Sequence, residues 1–121
     1  MVDKHIADAL RAALVAARDL PGPVNQRLRA YADALRAHRP DFAEAVDRLV
    51  TRLQTAGAGG PAPQVGEPLP PFLLPDDDGH LVGLDDCLAN GPVAIAFHRG
   101  HWCPYCHINL RALAHVQARA I

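Results

Sequence analysis

Residues 91–113 read GPVAIAFHRGHWCPYCHINLRAL and place Cys103 and Cys106 behind an unbroken apolar run. That run, residues 93–97, has no polar alternation, which is typical of a strand buried on both faces of a sheet. A short polar turn follows it, and Pro104 suits the first turn of a helix over the remainder of the chain. The predicted order is therefore a central parallel strand, a turn, a CxxC pair and a helix.

The two cysteines of this segment have the spacing of a redox pair. A sulfur at the N-terminus of a helix faces unpaired backbone N–H groups and the positive end of the helix dipole, which favour the thiolate. Cys103 lies at the predicted helix start and is therefore the predicted nucleophile. Cys106, one turn deeper, is placed to attack a mixed disulfide or sulfenic acid formed on Cys103.

The residues next to the two cysteines in the sequence are expected to shape the site. Pro104 fixes the turn, and Trp102 is a large flat group that shields the nucleophile and shapes the approach of a substrate. Arg99 adds positive potential, together with the histidines beside it. We expect the pair to be surrounded by Arg99, Gly100, Trp102, Pro104 and Tyr105.

The segment as a whole resembles the peroxiredoxin-like branch of the alkyl hydroperoxide reductase and thiol-specific antioxidant (AhpC/TSA) family, whose members have a thioredoxin fold and a WCPYC motif. Residues 65–92, VGEPLPPFLLPDDDGHLVGLDDCLANGP, are similar to the stretch that precedes the main strand in that family. The CPYC core also resembles a dithiol glutaredoxin. The resemblance implies a thiol-dependent oxidoreductase that reduces a peroxide or exchanges with a protein disulfide, takes electrons from a thiol donor and needs no cofactor.

Two features depart from the family pattern. Peroxiredoxins place Thr or Ser three residues before the reactive cysteine and Pro four residues earlier, and this chain has Gly100 and Ala96 there. A thioredoxin fold also continues beyond the CxxC helix, whereas this chain ends at Ile121. We therefore expect an incomplete thioredoxin-like fold, truncated after that helix, with an open strand edge through which copies self-associate. A catalytically silent redoxin fragment is one alternative that this expectation leaves open.

Upstream, residues 1–56 are rich in alanine and carry apolar residues at helical spacing. Proline and glycine divide them into three predicted helices, and Asp41 is the predicted N-cap of the third. Residues 57–64 contain only small, Pro and Gln residues without charge and are predicted to be a linker. The predicted fold class is thus α/β, with a helical lead (1–56), a linker (57–64) and the N-terminal portion of a thioredoxin-like redoxin domain (65–121).

Between the linker and the apolar run, the sequence predicts a hairpin. Residues 72–74 and 81–84 are apolar and extended in character, and an acidic turn at 76–79 joins them. Asp85 or Asp86 can cap a single helical turn that contains Cys87. Cys87 itself is predicted to be a small buried filler, outside the redox pair.

Composition limits the partners and the compartment. The chain has 121 residues, with 12 basic and 13 acidic side chains, and lacks the basic surface that nucleic-acid binding requires. No apolar run approaches the roughly 20 residues that cross a bilayer, and the first helix is interrupted by charges where a signal peptide is apolar. We therefore expect a cytoplasmic protein with neither a nucleic-acid nor a membrane partner.

A metal- or haem-binding module is the main alternative from another functional class. The stretch from Cys103 to His107 satisfies the CxxCH pattern of haem attachment. His98, His101 and His107 could also join Cys103 and Cys106 in a zinc site of mixed sulfur and nitrogen ligands. Zinc requires a second ligand pair at a definite spacing, and none stands out in the sequence, so we expect no metal.

Overall fold

The computed structural model of the chain describes residues 3–120, with side chains through Gln117. The ends of the predicted helical lead and of the predicted last helix, residues 1–2 and 121, lie outside the described residues. The architecture is mostly helical α/β, with helices before a small sheet, as predicted. Its elements are α1 (Lys4–Asp19), α2 (Val24–His38), α3 (Pro40–Thr55), β1 (Leu73–Pro75), β2 (Leu81–Gly83), α4 (Leu84–Leu88) and α5 (Pro104–Ala120).

The described residues divide into two compact units. One contains the chain up to Ala56 together with the chain from His98 onward, and the other is Gly57–Phe97. The first unit thus joins α1, α2 and α3 to α5, and the second contains β1, β2 and α4. The domain boundaries 1–56, 57–64 and 65–121 remain a prediction, because they were drawn from changes in composition and not from packing. None of the helices in residues 3–120 is long and apolar enough to span a membrane.

The first two helices begin and end as their sequences predict. The carboxylate of Asp3 accepts a hydrogen bond from the backbone N–H of His5 at 2.9 Å and caps α1. After α1 the chain turns through Gly22, whose φ of 113° is in the region that favours glycine. Pro23 then precedes the first residue of α2, so the connection is short and the two helices pack against each other.

The start of α3 differs from the prediction. The helix begins at Pro40 rather than after Asp41, and its N-cap residue, Arg39, makes no side-chain capping bond. Proline occupies the first turn of a helix readily, because its missing N–H has no helical partner there. The Asp41 carboxylate instead accepts hydrogen bonds from Nε and Nη2 of Arg39, at 2.9 and 2.8 Å. Asp41 is therefore an ion-pair partner in the first turn, and the predicted N-cap was wrong.

The core of the first unit forms where α5 packs on α1 and α2. Ile108 has no exposed surface, and it contacts the buried Ala17 of α1 and Tyr31 of α2. A further link joins the surfaces of two of these helices, since Nε of Arg111 lies 3.2 Å from Oδ1 of Asp19. The buried face of α5 thus contains Ile108, whereas Leu110 is 45 % exposed.

The second unit is built on the predicted hairpin. β1 and β2 pair antiparallel, with Leu74 opposite Val82. The Asp76 carboxylate accepts from the backbone N–H groups of Asp78 and His80, at 3.0 and 2.8 Å, which fixes the acidic turn. In α4, which follows at once, the half-buried Cys87 lies one residue before the helix end.

The predicted central strand is the main error. Residues 93–97 form no strand in the described structure, and the sheet there contains only β1 and β2. Phe97 is 89 % exposed. An extended apolar segment becomes a strand only when neighbouring backbone groups pair with it, and the described residues supply no such neighbour for this segment. The open edge of a central strand, which the sequence predicted, is accordingly not formed within residues 3–120.

Replacing Ile108 with alanine tests the core. Because Ile108 is fully buried between α1 and α2, we expect Ile108→Ala to lower the free energy of unfolding by about 2–5 kcal/mol. The matched control is Leu110→Ala on the exposed face of the same helix, which should cost under about 1 kcal/mol. Urea unfolding followed by circular dichroism measures both changes. Equal losses in the two variants would contradict the described packing of α5.

Replacing Asp41 with asparagine tests the ion pair at the start of α3. Hydrogen bonding from Arg39 lowers the pKa of Asp41 from 3.8 to about 2. A carboxylate whose pKa falls on folding stabilises the protein above its unfolded pKa, and that stabilisation is lost as the pH falls through the folded value. We expect Asp41→Asn to be less stable than the parent protein at neutral pH, with the difference disappearing between pH 3.8 and about 2. Urea midpoints across this range measure it, and a constant difference would contradict the pairing.

Candidate active site

The turn before α5 sets the position of both cysteines. Gly100 has a φ of 125°, and a Cβ on it would lie 2.8 Å from Nε1 of Trp102, so a larger residue there would be strained. Its carbonyl accepts a hydrogen bond from the backbone N–H of Cys103 at 3.1 Å. Cys103 directly precedes Pro104, the first residue of α5, and its carbonyl accepts from the backbone N–H of Cys106 at 3.0 Å. Local backbone bonds thus place one thiol at the helix start and the other one turn inside it.

Both thiols of the pair are buried and near each other. Cys103 is 1 % exposed and Cys106 is 7 % exposed, and neither is in a disulfide. The two thiols influence each other, since Cys103 contributes to the lowered pKa of Cys106. Cys87, the third cysteine, belongs to the other compact unit. Solvent therefore has little access to either thiol of the pair.

Arg99 contacts both sulfurs of the pair. Its guanidinium Nη2 donates to Sγ of Cys103 at 3.1 Å, and its backbone N–H donates to Sγ of Cys106 at 3.2 Å. Hydrogen bonds from a charged donor are stronger than neutral ones and favour the ionised acceptor. A single residue four positions before Cys103 thus supplies donors to both thiols.

The electrostatics of the site follow from these contacts. The pKa of Cys106 is lowered, first by the backbone N–H bond from Arg99 and next by the hydrogen bond with Cys103, while burial opposes the shift. The pKa of Arg99 is raised, first by its hydrogen bond to Cys103, so that its guanidinium stays charged. The second thiol of the motif is therefore held in surroundings that favour its thiolate.

Trp102 and Tyr105, two of the residues that the sequence predicts around the pair, differ in their exposure and contacts. Trp102 is 66 % exposed, and the guanidinium of Arg99 lies 5.9 Å from its ring centre. Tyr105 turns inward and meets Tyr31 of α2 edge to face, with ring centres 5.4 Å apart and planes at 86°. Burial raises the pKa of both tyrosines, which keeps their hydroxyls protonated.

A groove of about 450 Å³ opens beside Cys103 within the first compact unit. Arg99, Trp102, Pro104 and Tyr105 line it near the thiol, and Arg39 lines it at the start of α3. The rest of its wall is apolar and comes from the three N-terminal helices. These wall residues are Ala7 and Leu10 of α1, Tyr31 and Leu35 of α2, and Phe42 and Val46 of α3.

These helical residues were not among the predicted site residues. Sequence periodicity placed Tyr31 and Leu35 on one apolar face of α2, which identifies a buried face but not the element that covers it. Tyr105 and Ile108, on the face of α5 that meets α2, are three residues apart, which is the one sequence signal that could have indicated this face. No spacing in the sequence indicates that these two faces meet beside the cysteines.

One of the histidines near the pair, His107, makes a contact with the backbone. The ring Nε2 of His107 donates a hydrogen bond to the backbone carbonyl of His101, whose own ring is not part of that contact. Among the described residues, no group of three or more His, Cys, Asp or Glu side chains is close enough to hold a metal ion.

Comparison with the models of protein families gives a match to part of the chain. The model of the AhpC/TSA family matches residues 65–120, a stretch that contains β1, β2, α4 and the two cysteines of α5 and its preceding turn. Neither the curated proteins nor the solved structures yielded a match to the chain. The helices α1, α2 and α3 lie outside the matched residues. Residues 65–120 therefore match the AhpC/TSA family, which the resemblance around the CPYC motif predicted.

Proposed function

We propose that the protein is a thiol-dependent oxidoreductase in which Cys103 attacks an oxidised substrate and Cys106 resolves the product. The observation that carries this proposal is the double contact of Arg99, with donors at 3.1 Å from Cys103 Sγ and 3.2 Å from Cys106 Sγ. The pKa of Cys106 is lowered by its donors, and the thiolate is the reactive form of a cysteine. The guanidinium of Arg99 contacts the sulfur of the proposed nucleophile, Cys103. The AhpC/TSA match supports the same chemistry, since members of that family are typically thiol peroxidases.

Peroxide reduction proceeds in two steps at this pair. The Cys103 thiolate attacks one peroxide oxygen, the O–O bond breaks, and the leaving alkoxide or hydroxide takes up a proton, leaving a sulfenic acid on Cys103. Cys106 then attacks the Cys103 sulfur, forms a disulfide and displaces hydroxide, which leaves as water after protonation. Two electrons and two protons from an external thiol donor restore both thiols. The sum is one peroxide reduced to an alcohol and water, or to two waters.

Exchange with a disulfide uses the same two residues. Cys103 would attack one sulfur of the substrate disulfide and release the other as a thiolate, and Cys106 would then displace the second substrate sulfur. The burial of Cys103, which is only 1 % exposed, favours small oxidants that can enter the groove over a disulfide held on a large protein surface. Peroxide reduction is accordingly the reaction we favour.

The remaining residues around the pair have positioning roles in this proposal. Gly100 permits the tight turn that brings Arg99 back toward the sulfurs. Pro104 begins α5 without an N–H of its own, so that the helix N-terminus at Cys103 is fixed by backbone geometry. Trp102 and Tyr105 form the sides of the approach to Cys103.

Substitution of each cysteine tests the assigned order of attack. We expect Cys103→Ser to abolish peroxide turnover, because serine is a far weaker nucleophile than a thiolate. Cys106→Ser should consume one equivalent of peroxide and stop with a sulfenic acid on Cys103, detectable by dimedone labelling and mass spectrometry. Cys87→Ser is the matched control and should retain turnover, since Cys87 lies in the other compact unit. Retained turnover in Cys103→Ser would reverse the assignment of the nucleophile.

Substitution of Arg99 separates its two contacts. Arg99→Ala removes the guanidinium from Cys103 but keeps the backbone N–H that donates to Cys106. We expect the rate of Cys103 oxidation by peroxide to fall by about ten- to a hundredfold, the usual effect of losing a hydrogen bond to a charged group. Stopped-flow kinetics measure this rate, and Arg99→Lys should recover part of it because the positive charge remains.

The same variant should leave the pKa of Cys106 below its ordinary value, because the largest cause of that shift is the backbone N–H of residue 99. The pH dependence of Cys106 alkylation, measured with Cys103 and Cys87 replaced by serine, follows this property. A Cys106 that titrates like free cysteine in both the parent and the Arg99→Ala background would contradict the described backbone contact.

A further inference from the structure

The groove beside Cys103 has a wall that the AhpC/TSA segment does not supply. Leu10, Leu35 and Phe42 belong to α1, α2 and α3, and these helices precede the matched residues 65–120. The volume of about 450 Å³ lies within the roughly 300–1,000 Å³ typical of small-molecule pockets. The three helices therefore form a binding surface that is added to the cysteine pair.

The charged side chains that line this groove are all of one sign. Arg99 and Arg39 line it, and no Asp or Glu does. The guanidinium of Arg99 is occupied by the sulfur of Cys103 at 3.1 Å. Arg39 is the second cation of the lining, and its contact with Asp41 uses only Nε and Nη2.

Arg39 is also held in place before any ligand arrives. Its Nε and Nη2 donate to the carboxylate of Asp41, and its guanidinium carbon lies 6.0 Å from the ring centre of Phe42. These bonds leave Nη1 without a hydrogen-bond partner among the described residues. A guanidinium can bind a second carboxylate through such a free edge, because it carries five N–H donors in a fixed plane.

We propose that the groove binds small organic carboxylates, with the apolar body against α1, α2 and α3 and the carboxylate on Nη1 of Arg39. The inference rests on the proposed function in one respect. It takes the bound molecule to be the oxidised substrate, an organic hydroperoxide that carries a carboxylate. Arg39 is then a specificity-determining residue that orients the substrate toward Cys103. The N-terminal helices thus select the substrate, and the cysteine pair breaks its O–O bond.

Trp102 provides a direct measurement of binding that needs no catalysis. It is the single tryptophan of the chain and lines the groove, so its fluorescence should change when the groove is filled. The probes are octanoate and octanol, which have the same apolar body and differ in charge. We expect the reduced protein to bind octanoate about tenfold more tightly than octanol, as for a charge-assisted hydrogen bond.

Arg39→Gln should reduce the preference for octanoate to about onefold, with Arg39→Lys between this variant and the parent. Arg36→Gln is the matched control, because Arg36 also loses an ion pair of 2.8 Å, to Asp47, but does not line the groove. This control should keep the tenfold preference. Circular dichroism verifies that each variant is folded.

Val46→Phe provides an independent variant with every charge retained. Val46 is half-buried in the apolar wall, so a larger side chain there should lower the affinity for octanoate and octanol alike. Equal binding of the two probes by the parent, a preference that survives Arg39→Gln, or no binding by fluorescence and calorimetry would each overturn the inference.

The two proposals fail in distinguishable ways. If the parent protein prefers octanoate but reduces no hydroperoxide, the proposed function is contradicted and the carboxylate-binding groove stands. If the parent protein reduces hydrogen peroxide but binds octanoate no better than octanol, the carboxylate-binding groove is contradicted and the proposed function of the cysteine pair stands.

Discussion

The arrangement of the site depends on one residue that supplies donors to both cysteine sulfurs. Arg99 reaches Cys103 through its guanidinium and Cys106 through its backbone N–H, at 3.1 and 3.2 Å. The backbone contact requires the chain to fold back before α5, which Gly100 allows through its positive φ. The guanidinium contact places a positive charge directly beside the sulfur of Cys103. The backbone donor lowers the pKa of the buried Cys106, although burial opposes the shift.

Packing of α5 on the N-terminal helices gives the buried cysteines their surroundings. Ile108 anchors α5 against α1 and α2, and Tyr105 meets Tyr31 from the same face of the helix. Because α5 also begins at the cysteine pair, the residues that fix the helix in the core simultaneously set the wall of the groove beside Cys103. The packing of α5 and the lining of the groove thus involve adjoining side chains. The N-terminal helices consequently belong to the same compact unit as Cys103 and Cys106, although the AhpC/TSA match covers only residues 65–120.

The errors of prediction have identifiable physical causes. The apolar run at 93–97 has strand composition, but a strand is made by pairing, and the described residues offer it no partner. Asp41 has the composition of an N-cap, yet Pro40 already occupies the first turn and Arg39 binds the carboxylate. In both places the sequence has the residues that the predicted element requires. The strand did not form because a pairing partner is missing, and the cap did not form because Pro40 and Arg39 compete with it.

Sequence alone determined the helices, the hairpin and the candidate cysteine pair, because periodicity, turn residues and the CPYC spacing act over a few adjacent positions. It also identified the AhpC/TSA segment and named Arg99 among the residues near the thiols. Tertiary structure decided which donors of Arg99 meet which sulfur, and that Tyr31 and Arg39, far away in the chain, line the groove beside Cys103. Contacts between distant segments depend on how whole helix faces pack, and a one-dimensional pattern specifies each face without specifying its partner.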